Sequence, residues 1–132
     1  MSIKKLPDYR LKQKILYIDK TSTATLISYG DLYLEAGAIS DALDFYAKAG
    51  HQAGMQRIKD LALANGDTFI FQGAAKALGH ELRDEDWEDI ARRAIDLKKY
   101  LFARHALEKT NKVELLNALT TKMKAEEAKQ SA

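Results

Sequence analysis

Residues 23–128 predict an all-α fold built from antiparallel helical hairpins. Three observations carry that prediction. Apolar residues recur at spacings of three and four from Thr23 onward, the period of a helix with one buried face. The single proline is Pro7, so the strongest helix breaker is absent from the rest of the chain. Glycines at positions 37, 50, 66 and 79 interrupt the periodic runs and leave only short links, which make consecutive helices antiparallel neighbours.

In residues 1–20, Leu11, Ile15 and Ile18 share one helical face, although Ile15-Leu16-Tyr17-Ile18 also has strand character. This segment reads as a basic arm or helix. The next helix carries Leu26, Tyr29, Leu32, Tyr33 and Ala36 and stops at Gly37. A second opens near Ser40, the expected N-cap, carries Ala42, Leu43, Phe45, Tyr46 and Ala49, and closes at Gly50. A third carries Met55, Ile58, Leu61 and Ala62 and ends at Asn65-Gly66. A fourth carries Phe69, Ile70, Phe71, Ala74, Ala75 and Leu78 and ends at Gly79. A fifth starts at Asp84 with Trp87, Ile90, Ala91, Ala94 and Leu97, and a sixth holds Leu101, Phe102, Ala103, Ala106 and Leu107. Asn111 with Glu114 has capping-box spacing and opens a last helix with Val113, Leu116, Leu119 and Met123, expected to fray after Glu127.

The 132 residues suffice for one domain. Hydrophobic residues at 46% and charged residues at 30% place the chain among globular proteins. The absence of cysteine excludes disulfides, thiolate metal sites and a cysteine nucleophile. Net charge is +2, unevenly spread: residues 1–20 hold six basic and two acidic side chains, and residues 21–80 hold four basic and six acidic. No apolar run approaches the roughly 20 residues that span a bilayer, and no apolar stretch follows the basic N-terminus as in a signal peptide. The expected location is cytoplasmic.

No catalytic constellation is visible. His51, His80 and His105 lie far apart, with no metal-ligand spacing around them. Asp84, Glu85, Asp86, Glu88 and Asp89 read as acids that complement a helix N-terminus rather than as a metal site. No phosphate-binding glycine motif is present. The expectation is a protein that is not an enzyme and takes no cofactor and no metal.

Leu26, Tyr29, Gly30 and Tyr33, then Ala42 nine residues on, Tyr46 four later and Ala49 three further, follow the signature of the tetratricopeptide repeat. Residues 23–51 therefore resemble that family, with Leu26 in place of its tryptophan. Residues 84–110 resemble it again through Trp87, Ile90, Ala91, Ala94, Ala103 and Leu107, with Lys98-Lys99 where a glycine is usual. Residues 52–79 form a degenerate repeat: Met55, Ile58, Ala62 and Gly66 keep register, but Phe71 replaces a small residue. That substitution predicts helices set further apart or rotated. The starts are offset by about 29 and 32 residues, against about 34 in the family. Short links such as Ala49-Gly50-His51 also resemble the helical solenoids of vesicle-coat proteins, and the sequence fits either.

The resemblance implies hairpins stacked as a short right-handed superhelix, with residues 111–128 as a capping helix. It also implies a concave groove that binds a peptide or helix of another protein. Carried over in register, the groove residues are Ile27, Asp31, Leu34, Glu35, Leu63, Glu88, Arg92 and Ile95. Such a groove is largely acidic and suits a basic or amphipathic segment. Leu34, Ile27 and Ile95 are expected as an exposed aliphatic row. The last helix offers a surface on which a second copy can pair. The alternative partner is nucleic acid or an anionic surface, held by Lys4, Lys5, Arg10, Lys12 and Lys14 with Tyr9 and Tyr17. The near-neutral body speaks against it.

Overall fold

A computed structural model describes residues 6–131, which form eight α-helices and no strand. They are α1 Tyr9–Tyr17, α2 Thr23–Glu35, α3 Ile39–Ala49, α4 Gln52–Asn65, α5 Thr68–Leu78, α6 Asp84–Asp96, α7 Tyr100–Glu108 and α8 Val113–Ser131. Short polar side chains start three of them. Asp8, Ser22 and Asp67 accept from the N–H groups of Leu11, Thr25 and Ile70 at 2.8, 3.2 and 3.1 Å. Two expected caps fall elsewhere. α3 begins at Ile39 with Ala38 as its N-cap, so Ser40 lies inside the first turn. α8 begins at Val113, one residue later than an Asn111 cap would set it, and the Lys112 carbonyl accepts from Leu116 N–H at 3.2 Å. α8 also continues to Ser131, beyond the expected fraying point.

The closest pairings are α2 with α3, α4 with α5 and α6 with α7, giving three consecutive hairpins. Each turns by the same hydrogen-bond pattern. The N–H groups of Gly37, Gly66 and Lys98 donate to the carbonyls of Leu34, Leu63 and Ile95 at 3.1, 3.2 and 2.9 Å. One residue later, Ala38, Asp67 and Lys99 donate to Tyr33, Ala62 and Ala94 at 2.9, 2.9 and 2.8 Å. This is a Schellman-type stop, which needs one residue with left-handed backbone. Gly37 and Gly66 supply it with φ of 79° and 66°, and Lys98 adopts φ 60° without being glycine.

The turns align the hairpins residue by residue. Tyr33 and Ala42 in the first correspond to Ala62 and Phe71 in the second. The large residue has moved from the first helix to the second, so the summed volume is kept. Phe71 is therefore buried, and α4 and α5 pack as closely as the other pairs rather than being spread by its ring.

Two apolar clusters form the interior. One joins Ile15 and Leu16 to Leu26, Tyr33, Ala42, Phe45, Tyr46, Met55, Ile58 and Ala74. The other joins Ala62 and Phe71 to Trp87, Ile90, Ala91, Ala94, Ala103, Ala106, Leu107 and Leu119. The second hairpin contributes to both and holds the stack together. α1 covers α3, and α8 covers α7.

Candidate functional site

The junction between the first two hairpins is built around Tyr46. A Cβ at Gly30 of α2 would stand 2.5 Å from Tyr46 Cε1, and one at Gly54 of α4 would stand 2.8 Å from Tyr46 Cδ2. The ring therefore occupies space that only glycine leaves on both helices. Its hydroxyl donates to Asp31 Oδ1 at 2.5 Å, and its ring centroid lies 5.2 Å from that of His51. Burial, followed by the Asp31 hydrogen bond, holds the hydroxyl well above the ordinary tyrosine range.

Beside this ring, α2 and α4 border a depression of about 320 Å³ lined by Asp31, Leu34, Glu35 and Arg57. Three of the residues expected in a groove thus come together, and Arg57, absent from that expectation, completes the site. Asp31 Oδ1 is committed to Tyr46, while Asp31, Glu35 and Arg57 are all exposed. Two carboxylates against one guanidinium leave the depression net acidic, suited to a cationic side chain beside an aliphatic one.

The remaining groove residues are placed differently. Ile27 and Leu34 are half-buried against the first cluster, and Leu63 and Ile95 against the second. The aliphatic row is therefore partly used by the core, not fully exposed. Glu88 is buried and ion-paired with Lys112 at the start of α8, with Arg92 Nη2 at 3.8 Å from its other oxygen. The hydrogen bond with Glu88 holds the Lys112 ammonium above the ordinary lysine range. The acidic face is thus interrupted at α6, where the chain neutralises its own carboxylate.

Between the second and third hairpins, α4 presents its last carbonyls to cations. Arg93 Nε donates to the Ala64 carbonyl at 2.8 Å and Lys99 Nζ to the Asn65 carbonyl at 2.6 Å. Cations at a helix C-terminus satisfy unpaired carbonyls and complement the macrodipole.

The basic segment is altered in the same way. Lys12 is buried and donates to Asp41 Oδ1 at 2.6 Å and Asp44 Oδ2 at 2.8 Å, fastening α1 to α3. Burial alone would lower its pKa, but the two carboxylates outweigh burial and raise it. Lys12 is therefore a structural cation and not part of an anion-binding surface. Arg10, Lys14, Tyr9 and Tyr17 are exposed, and Lys4 and Lys5 lie outside the described residues.

Among the described residues, no three His, Asp or Glu side chains converge as metal ligands, and no helix is long and apolar enough to cross a membrane. The acids at 84–86 occupy the first turn of α6, where Asp86 Oδ2 accepts the Arg83 N–H at 2.9 Å. Comparison with protein-family models, curated proteins and solved structures found no match.

Proposed function

We propose that this chain is a non-catalytic protein-interaction module of tetratricopeptide-like hairpins, and that the face carried by α2 and α4 binds a cationic, amphipathic segment of a partner. The observation that carries this reading is the net-acidic depression of Asp31, Leu34, Glu35 and Arg57 between two first helices. Leu34 supplies an aliphatic wall, and the carboxylates supply attraction for lysine or arginine. The shared turn of the three hairpins and the signature spacing of Leu26, Tyr29, Gly30, Tyr33, Ala42 and Tyr46 support the repeat assignment. The right-handed superhelix belongs to the same proposal.

Charge exchange tests it, because both charged residues are exposed. A short fluorescein-labelled lysine–leucine peptide is titrated with the protein by fluorescence anisotropy. Glu35→Lys is expected to weaken binding about two- to fivefold and Arg57→Glu to strengthen it by a similar factor. Equal affinity across the wild type and both variants would contradict the assignment.

A further inference from the structure

A second depression lies at the turn end of the second and third hairpins. Its volume is about 390 Å³, and its walls are Phe69, Tyr100, Leu101 and Phe102 with Lys98 and Lys99. Phe69 and Leu101 are 56% and 72% exposed, far more than an aromatic or a leucine of a packed hairpin needs. The aromatic wall is held in place from behind. The Phe69 ring meets Phe102 edge-on at 5.6 Å and stacks on His105 at 4.4 Å. Thr68 Oγ1 donates to the Phe102 carbonyl at 2.8 Å, and His105 Nε2 lies 3.0 Å from Gln72 Oε1. These bonds tie α5 to α7 and set the ring positions before any ligand arrives.

Its charge is of one sign. Both charged wall residues are lysines, and the nearest acids in sequence, Asp67 and Asp96, do not line it. No carboxylate among the described residues forms an ion pair with either lysine; Lys99 Nζ donates to the Asn65 carbonyl, so Lys98 is the lysine that turns its charge to a ligand. Lys98 is also the one non-glycine residue with positive φ among the described residues, at the position that Gly37 and Gly66 hold in the other hairpins. A side chain there is strained, and the strained residue is one that puts positive charge at the rim.

We propose that this depression is a second docking site, distinct from the α2–α4 face, and that its occupant is an acidic protein segment inserting one bulky apolar side chain. Concavity favours insertion of a side chain over apposition to a flat bilayer. Charge complementarity selects acidic neighbours for that side chain.

The test uses the full chain labelled with ¹⁵N and a short glutamate–leucine peptide with one tryptophan. The expected result is amide shifts confined to residues 66–72 and 97–105. Leu101→Ser is expected to weaken binding about tenfold, since it removes an apolar contact. Lys98→Gly is expected to weaken it about two- to fivefold while raising the melting temperature, a combination that a purely structural lysine would not show. No shifts in these segments, or unchanged affinity in both variants, would overturn the proposal. Anionic vesicles that bind this face where the peptide does not would overturn it in favour of a membrane. Concentration-dependent shifts at the same residues without peptide would assign the face to a second copy and overturn it as well. The α2–α4 reading is probed by a peptide of opposite charge at other residues, so either can fail alone.

Discussion

The Tyr46 hydroxyl donates to Asp31 Oδ1 at 2.5 Å while the Tyr46 ring sits between the bare backbones of Gly30 and Gly54. One side chain from α3 thereby sets how far α2 and α4 stand apart and orients a carboxylate of the depression between them. Packing and site geometry are coupled through this residue.

Gly54→Ala is expected to destabilise the chain by about 1–3 kcal/mol, the range for overpacking a filled core. Its Cβ would fall 2.5 Å from His51 Cδ2 and 2.8 Å from Tyr46. Urea denaturation measures the loss. Combining it with Tyr46→Leu should cost less than the sum of the single changes, because the shorter side chain vacates the contested space. Strict additivity would show that the ring does not set the spacing.

Lys98→Gly is expected to stabilise by about 1 kcal/mol, because left-handed backbone costs a side chain roughly 1–2 kcal/mol and glycine gives part of that back through unfolded-state entropy. Gly37→Ala should lose a comparable amount at the equivalent turn, where space is open and only φ 79° is at issue. Thermal melts of the two variants should shift in opposite directions.

Stability should fall above pH 10. Tyr33, Tyr46 and Lys12 are all held above their ordinary values of 10.0, 10.0 and 10.5. The unfolded chain therefore loses these protons first as pH rises. Their contribution is whole below about pH 10 and disappears as pH climbs through the raised folded values. Circular-dichroism melts across the alkaline range check this. Tyr46→Phe should flatten the decline and lower stability at neutral pH by about 1.5 kcal/mol, through loss of a hydrogen bond to a carboxylate.

The helices and their hairpin pairing are legible because each signal is local: Leu26, Tyr29, Gly30 and Tyr33 lie within three turns of one helix, and a short link follows each run. The site was legible only in part. Asp31, Leu34 and Glu35 share a helix face, but Arg57 joins them from α4, which no spacing within α2 encodes. No helical spacing singles out Gly54, because its role exists only against a ring from another helix. Lys12 and Glu88 read as surface charges because their partners, Asp41 with Asp44 and Lys112, are remote in sequence or on another element. Phe69 and Leu101 belong to the apolar sets of their helices, and periodicity cannot tell a buried position from one left open at the end of a hairpin.

The most direct test of the α2–α4 face is methyl NMR of leucine-labelled protein titrated with the lysine–leucine peptide. Leu34 is expected to shift first and furthest, Leu63 to follow more weakly, and Leu101 to stay still. Movement of Leu101 with Leu34 unchanged, or no movement at all, would contradict the assignment.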